Sequence, residues 1–527
     1  MIIDLGKGAP RQFSADVAVV GAGAAGQAVA RRLLERGLSV LLLESGGFDY
    51  EAGTADLNRG TSVGQPYYEL EESRLRFFGG TTAIWGGRAA ELDPIDFERR
   101  EWVPWSGWPV GHDAMGPYYR EARRILALPE TDPGPPAGPL SRLSEDELCV
   151  RHWLIDLQFD RFGRRRNADL LAHPGLTLLL HATAREIIVR DSAAGVSALD
   201  VCGPGGERHE IAARHYVLAA GGLENPRLLL ASNTVRPQGL GNDKDLVGRF
   251  FMEHPHGRGG RMLNASAWRL VQAFRKRSMG AQETGALLAP SRSLQSSRRI
   301  LNSALTVAVR PPNNGAQPLL TASYLAAKHK FEPTERGRTA WKAYKTTGRY
   351  LRKATGPLYW WGRKLLGRGE LVLVIRGEQA PNPESRVSLV RDNPDATGMP
   401  RLQLDWRLQP LDRDSAAELV AAFGREARRL GLGEVEPSAW LSDPGVSWVS
   451  DPLVSVHPLG GYHHMGTTRM ADDPATGVTD GWGRVHGIDN LFVAGSSLFP
   501  TSGWANPTLT ILALALRTAD RIASLSR

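Results

Sequence analysis

The sequence predicts an α/β protein in which a discontinuous Rossmann-like dinucleotide-binding domain carries an inserted domain built on an antiparallel sheet plus helices. Strand–helix alternation at residues 16–44 and near residues 216–220 favours a parallel sheet, and a predicted helix closes the chain after residue 506. Between residues 256 and 445 the pattern changes to short alternating strands and one long amphipathic helix. The middle of the chain therefore predicts a second structural unit.

The first unit follows the order strand, turn, helix, strand. Residues 16–20 are an uninterrupted apolar run typical of a buried parallel strand, and residues 27–36 predict a helix that ends at Gly37. Residues 38–43 predict the second strand. This is the context in which a glycine turn binds a dinucleotide.

The turn itself carries the glycine signature. Gly21 permits the tight turn, Gly23 lets the backbone approach a pyrophosphate, and Gly26 lets the helix pack on the sheet. The helix N-terminus offers free N–H groups to the phosphates. Glu44, at the tip of the second strand, can accept hydrogen bonds from both ribose hydroxyls. The pattern alone does not separate FAD from NAD.

The inserted unit is indicated by two antiparallel strands, at 386–390 and 402–406, and by an amphipathic helix at 416–430. We expect the dinucleotide-binding domain to be discontinuous and the substrate-binding domain to interrupt it. The expected boundaries are 1–100, 180–255 and 446–527 for the dinucleotide-binding domain and 101–179 and 256–445 for the substrate-binding domain.

Composition narrows the class of protein. The 527 residues are 42% hydrophobic and 23% charged, which is typical of a globular protein, and only Cys149 and Cys202 carry thiols. They form no CxxC motif, so we expect no thiol-based metal cluster. We find no secretory signal and no apolar run long enough to span a membrane, so we expect a cytoplasmic protein.

The net charge of +8 is concentrated in one segment. Residues 328–368 hold twelve Lys/Arg against two Asp/Glu, interleaved with aromatic side chains. A solvated basic helix packed by its aromatic face is the simpler interpretation, and peripheral contact with a membrane or an acidic partner is the alternative. No nucleic-acid-binding motif accompanies the charge.

Two further clusters carry candidate chemistry. Gly79, Gly80, Thr81 and Thr82 lie in a glycine-rich block at 76–88 that can approach a flat or charged group, although a flexible surface loop is the alternative. Nearer the C-terminus, His463 offers a proton acceptor and Asn506 an amide 43 positions later. A zinc site of His457, His463 and His464 is not expected, because no Cys, Asp or Glu stands at ligand spacing.

With these blocks the chain resembles the glucose–methanol–choline (GMC) oxidoreductases. It is most similar to the branch that holds pyranose 2-oxidases, sugar dehydrogenases of the fructose and gluconate type, and bacterial glycoside oxidases. The matching blocks are 21–44, 78–96, 219–227, 247–255 and 462–513. This resemblance, and not the glycine spacing, selects FAD over NAD.

The resemblance also implies how the cofactor is held. Ile84 stands where pyranose 2-oxidases carry the histidine that bonds covalently to the flavin, so we expect non-covalent FAD. The expected cofactor-binding residues are Gly21, Gly23, Gly26, Glu44, Gly79, Gly80, Thr81, Thr82, Ala220, Gly495, Asn506, Pro507 and Thr508.

In the family pattern the catalytic base stands seven positions before Met470, which is His463, and its partner matches Asn506. His457 is the main rival as base because its block is similar to that of cholesterol oxidases. His464 would point to the opposite face if the segment were a strand. His254 is a candidate for the substrate side.

The resemblance implies an FAD-dependent oxidoreductase that oxidises a sugar-like hydroxyl, with hydride transfer to flavin N5 and with O2 or another electron acceptor. A sterol or aliphatic alcohol oxidase of the same fold is the first alternative. A non-catalytic basic binding protein with a nucleotide fold is the second. Glu378 and Gln379 are candidate hydroxyl contacts, with surface polar positions as the simpler interpretation.

Overall fold

The computed structural model describes residues 1–131, 133–134, 138–158, 160–190, 194–279, 282–310, 333–365, 369–446, 448 and 460–526. Its helices are α1 (Ala24–Glu35), α2 (Ala52–Asp56), α3 (Pro94–Phe97), α4 (His112–Ile125), α5 (Ala168–Ala172), α6 (Gly221–Ala231), α7 (Ala267–Ala273), α8 (Arg292–Arg298), α9 (Glu335–Leu365), α10 (Pro410–Arg429) and α11 (Thr508–Leu525).

Its strands form three sheets. They are β1 (Ile2–Asp4), β2 (Gln12–Val20), β3 (Val40–Leu43), β4 (Gly60–Gly64), β5 (Arg88–Ala89), β6 (Leu148–Ile155), β7 (Leu176–Leu180), β8 (Thr183–Val189), β9 (Val196–Cys202), β10 (Arg208–Leu218), β11 (His256–Leu263), β12 (Arg277–Met279), β13 (Gln282–Pro290), β14 (Ala304–Arg310), β15 (Glu370–Arg376), β16 (Arg386–Pro394), β17 (Pro400–Trp406), β18 (Glu434–Pro437) and β19 (Leu491–Val493).

The first sheet is the dinucleotide-binding one. Its order is β1-β7-β3-β2-β10-β9-β8, with β19 paired to β10, and every pair from β1 to β10 is parallel, as is β10 with β19. β2 is central, and its residues 17–20 are buried because neighbouring strands and helices cover both faces. Helices α1 and α11 pack against each other on this sheet.

The second sheet is antiparallel, in the order β18-β11-β15-β14-β13-β6-β5. One face is apolar and packs on α10, through side chains such as Leu373, Ile375 and Phe423. The opposite face turns towards the first sheet and carries several charged side chains, described below.

The prediction of an α/β fold with a parallel dinucleotide-binding sheet and an antiparallel second unit is confirmed. β16 and β17 pair antiparallel as predicted, and β4 joins them in a third sheet by pairing parallel to β17. α10 begins six positions before the predicted residue 416. Pro410 at its first turn and the capping box of Gln409 with Asp412 start it there.

The basic segment 328–368 is largely one helix, α9, although its residues 328–332 and 366–368 lie outside the described residues. Trp341 and Tyr344 stack on each other with ring centroids 5.3 Å apart, and both line the central cavity. In the described part of the chain, no helix combines the length and the apolar character that a membrane span requires.

Candidate active site

A cavity of about 3170 Å³ lies between the first and second sheets. It opens at the carboxyl ends of the parallel strands, where β2 gives way to Gly21, β3 to Glu44, β10 to Ala220 and β19 to Gly495. Ligands of open parallel sheets bind at this edge. The topology therefore brings four separated segments of the chain to one site.

The glycine turn after β2 is shaped for close approach. Gly21 has a φ of +103°, which side chains rarely adopt, and a Cβ at Gly26 would lie 1.8 Å from the Gly21 carbonyl oxygen. Gly26 is thus required for α1 to pack on the turn. A Cβ at Gly23 would meet nothing within 4 Å, so the space above the N-terminus of α1 is open to the cavity.

Glu44 lies at the end of β3 with its carboxylate turned back to this turn. Its Oε2 accepts from the Ala22 N–H at 3.1 Å and its Oε1 accepts from the Gly46 N–H at 3.2 Å. Burial raises the pKa of this carboxyl, and the backbone donors oppose that shift. The remaining lone pairs face the cavity, in position for ribose hydroxyls.

The second glycine block packs directly on the first. The Gly79 N–H donates to the Ala22 carbonyl at 3.0 Å, and the Cβ position of Gly80 is 3.4 Å from the Gly23 Cα. The Thr82 hydroxyl donates to the Gly79 carbonyl at 2.6 Å, and the Thr81 hydroxyl accepts from Leu75. Thr81 therefore keeps a hydroxyl proton for a ligand, whereas Thr82 uses its own locally.

The residues present fit a flavin dinucleotide. The open space above Gly23 adjoins the α1 N-terminus, and a second helix, α11, begins at the cavity with Asn506, Pro507 and Thr508 on its wall. Such helix ends stabilise phosphate and a partly anionic ring. All the expected cofactor-binding residues line the cavity except Gly26, which packs beneath the turn. Their roles stay predictions.

His463 lies between an amide and a second imidazole. Its Nε2 is 3.1 Å from Asn506 Nδ2, and its Nδ1 is 2.8 Å from His254 Nδ1. His254 Nε2 is 3.3 Å from the Ser502 carbonyl oxygen. Both predicted catalytic residues line the cavity. The structure thus brings them together from positions 43 apart and adds His254 to them.

The carboxylate of Glu253 holds the backbone beneath this pair. It accepts from the N–H groups of Gly461, His254 and His463 at 2.8–2.9 Å and from the Tyr67 hydroxyl at 2.7 Å. Burial raises the pKa of Glu253, while these four donors lower it. Four donors directed at one carboxyl favour its ionised form.

The backbone before His463 is also constrained. Tyr462 has a φ of +60°, in the left-handed region, and its ring stacks on Tyr68 with centroids 4.2 Å apart. The Tyr68 hydroxyl in turn donates to the Gly460 carbonyl at 2.6 Å. This packing supports a left-handed backbone conformation that residues other than glycine rarely adopt, and it turns His463 towards the cavity.

Protonation in this cluster is unfavourable. Burial, followed by the neighbouring His254, His464, Arg88 and Arg376, holds the pKa of His463 well below its usual value. Burial likewise lowers the pKa of His254 to about 4 and that of His464 to about 3. The imidazoles are therefore neutral near pH 7, which is the form a general base requires.

The other candidates have different surroundings. His464 Nε2 lies 2.9 Å from the Tyr67 hydroxyl, which already donates to Glu253, so His464 Nε2–H donates to Tyr67 and this nitrogen cannot act as the base. His457 lies outside the described residues. Glu378 and Gln379 are fully buried away from the cavity, where Glu378 pairs with Arg100. Neither is the surface polar residue that the simpler interpretation expected.

A dinucleotide cradle that faces an imidazole–amide pair defines a cofactor-dependent oxidoreductase. The comparison with known families agrees. The profile described as "FAD dependent oxidoreductase" matches residues 16–239, and the profile described as "GMC oxidoreductase" matches residues 381–515. The chain belongs to the GMC oxidoreductases, it is an enzyme, and its cofactor is FAD.

Characterised relatives match over nearly the full chain. Paromamine 6'-oxidase of Streptomyces fradiae is 27% identical, covering 96% of this chain and 91% of the relative. 2-Methyl-1,2-propanediol dehydrogenase of Mycolicibacterium austroafricanum is 27% identical, covering 96% and 95%. The large subunit of fructose dehydrogenase of Gluconobacter japonicus is 24% identical, covering 97% and 98%. The predicted family is confirmed.

Proposed function

We propose that this enzyme oxidises a CH–OH group of a sugar, a glycoside or a sugar-containing natural product to a carbonyl, with His463 as the general base. The observation that carries the proposal is the placement of His463 Nε2 3.1 Å from Asn506 Nδ2 on the cavity wall. The relatives named for paromamine and fructose support a sugar-like substrate.

The tautomer of His463 follows from its neighbours. The Ser502 carbonyl can only accept, so His254 carries its proton on Nε2 and presents a lone pair at Nδ1. His463 Nδ1–H then donates to that lone pair, which leaves the His463 Nε2 lone pair directed at the cavity. His254 is therefore a positioning residue for the base.

A substrate hydroxyl placed between Nε2 and the amide would donate its proton to His463 and accept from Asn506 Nδ2–H. Because an alcohol ionises far above pH 7, the base takes this proton as the carbon–hydrogen bond breaks. Bound FAD supplies the acceptor for the hydride that leaves the same carbon. The amide keeps the oxygen in one place during both events.

We also propose that FAD is held without a covalent bond. The Ile84 side chain lines the cavity and has no nucleophilic atom, in contrast to the histidine expected at this position in covalent relatives. Precipitation of the purified protein with acid should release all of the yellow colour into the supernatant. Colour that stays in the pellet would contradict this proposal.

Anaerobic reduction tests the function. The purified yellow protein is mixed with a panel of sugars, glycosides, short diols and sterols, and loss of flavin absorbance is followed. Bleaching by at least one sugar or glycoside is the expected result, and oxygen uptake in the aerobic reaction then separates an oxidase from a dehydrogenase. Bleaching by diols or sterols alone would favour the aliphatic alternative, for which the propanediol relative is the specific support.

A further inference from the structure

Arg88 is a cation that lines the cavity and has no acidic partner in the described part of the chain. It lies on β5 opposite Ile155 of β6, it is only partly exposed, and its Nε is shielded from solvent with no hydrogen-bond partner. Among the described residues its guanidinium forms no ion pair, and its contact is with the Trp153 ring, whose centroid is 5.2 Å from Arg88 Cζ. A shielded charge of this kind is costly unless a counter-charge binds to it.

A second guanidinium shares the same indole. Arg376 Cζ lies 4.6 Å from the Trp153 ring centroid, and Arg376 also contacts the Thr306 hydroxyl. Arg376 lies on β15 opposite His256 of β11, so both face the cavity from the same side of the second sheet. Both arginines therefore contact one indole on the substrate-side wall.

This wall is predominantly basic. Arg88, Arg310 and Arg376 line the cavity from three strands of the second sheet, whereas Glu283 is the acid that lines it from β13. Glu283 also lies 3.8 Å from Lys276, a further cation on the wall. The charge at the wall is positive, which suits an anionic ligand.

The two arginines lie close to the reacting position. Burial is the main cause of the low pKa of His463, but Arg88 and Arg376 both lower it further. Both arginines also lower the pKa of His256, and the main cause of that low pKa is again burial. The positive charges are thus within electrostatic reach of the base.

We propose that Arg88 and Arg376 bind an anionic group, a carboxylate or a phosphate, of a polyol whose reacting carbinol lies at His463 and Asn506. The planar guanidinium fork matches either anion with two parallel hydrogen bonds. This inference rests on the proposed function, because it names the substrate class of the same site: a hydroxylated acid or a sugar phosphate.

Matched substrates test it. D-Glucose is compared with D-glucuronate and with D-glucose 6-phosphate, and D-glucitol is compared with D-gluconate, so that the charged group replaces a neutral one at either end of the carbon chain. In at least one pair the kcat/KM for the anion should exceed that for the neutral compound by about tenfold to a hundredfold, the range for a charge-assisted hydrogen bond. The two kinds of anion distinguish a carboxylate from a phosphate.

Substitutions test whether the preference for the anionic substrate depends on Arg88. R88Q should remove most of the preference by raising KM for the anion much more than KM for the neutral compound, and R88K should keep part of the preference as a point charge. R277Q is the control, since Arg277 is an exposed arginine of β12 on the same cavity and should leave the preference intact. Flavin content and the thermal midpoint of each variant check that it folds.

Equilibrium binding tests whether Arg88 binds an anion without any need for turnover. Succinate has no hydroxyl to oxidise, so its dissociation constant is measured from flavin or tryptophan fluorescence of the holoenzyme at constant ionic strength. R88Q should weaken it about tenfold or more. Succinate binding that is unchanged in R88Q would overturn the inference. Loss of flavin from R88Q would also overturn it, because Arg88 would then belong to the cofactor site. Absence of oxidation of all five compounds would count against the proposed function, while the succinate titration would still decide the anion site.

Discussion

His254 Nδ1 lies 2.8 Å from His463 Nδ1, and the two rings meet edge to face at 84° with centroids 5.0 Å apart. A hydrogen bond between two imidazoles requires one donor and one acceptor. The Ser502 carbonyl, 3.3 Å from His254 Nε2, requires the proton of His254 on Nε2, so His254 Nδ1 is the acceptor and His463 Nδ1–H is the donor. A backbone carbonyl in the segment between β19 and α11 thereby decides where the lone pair of the proposed base is placed.

H463A should keep FAD and lose the chemical step. The base contributes about 10²–10⁴-fold to proton abstraction, so anaerobic bleaching by substrate should slow by that factor. H112A serves as the control, because His112 lies on α4 away from the cavity wall. If H463A bleached at the normal rate, the base would have to be another group, with His457 the first candidate.

H254L and H254N should separate positioning from packing. Leucine cannot accept from His463 Nδ1–H, so the imidazole can adopt the wrong tautomer, and kcat should fall about tenfold to a hundredfold with little change in KM. Asparagine places a carbonyl oxygen near the Nδ1 position and should recover most of the rate. Equal losses in both variants would show that His254 acts only through packing.

The part of the site that could be predicted from sequence is the part that is local or carried by a family block. Gly21, Gly23 and Gly26 act within one turn, and His463 with Asn506 stands in a recognisable C-terminal block. Their meeting point could be inferred from the resemblance, although the distance between them could not.

The remainder depends on tertiary contacts that no short pattern encodes. Glu253 reaches His463 across 210 positions and Tyr67 across 186. Arg88 stands in a glycine block whose sequence predicts contact with a flat or charged group, or a surface loop, and only the pairing of β5 with β6 places it in the second sheet. Glu378 and Gln379 were candidate hydroxyl contacts, but both are fully buried, where Glu378 pairs with Arg100 and Gln379 accepts from the Trp406 indole N–H.

The rate of flavin reduction should stay level as the pH falls to 6.5. The pKa of His463 is held well below that value, so the neutral base persists there and is lost only when the pH falls through the lowered pKa. R88Q removes one of the positive charges that lower this pKa and should move the acid limb to higher pH. The measurement is stopped-flow reduction across the pH range, and a limb centred at or above 6.5 in the wild type would contradict the assignment.

E253Q should destabilise the segment that carries the base. A carboxamide offers one oxygen to four donors and turns its own N–H groups towards some of them, which should cost about 2–4 kcal/mol in the free energy of unfolding. Y67F is the comparison variant, since it removes the hydroxyl bond to Glu253, worth about 1.5–3 kcal/mol, together with the acceptor of His464 Nε2–H, and leaves the three backbone N–H bonds to Glu253 in place. Urea unfolding followed by tryptophan fluorescence measures the free energy of unfolding of both variants. A smaller loss in E253Q than in Y67F would contradict this role of Glu253.

G23A should separate binding of the cofactor from stability of the fold. A methyl group at Gly23 meets nothing within 4 Å, so the protein itself should fold normally, but the methyl would occupy the space that the pyrophosphate needs. G26A places a methyl 1.8 Å from the Gly21 carbonyl oxygen and should lower both stability and flavin content. G53A, on α2 with open space around it, should change neither. Flavin absorbance per protein and the thermal midpoint of the flavin-free form are measured together, and full FAD content in G23A would show that the phosphates bind elsewhere.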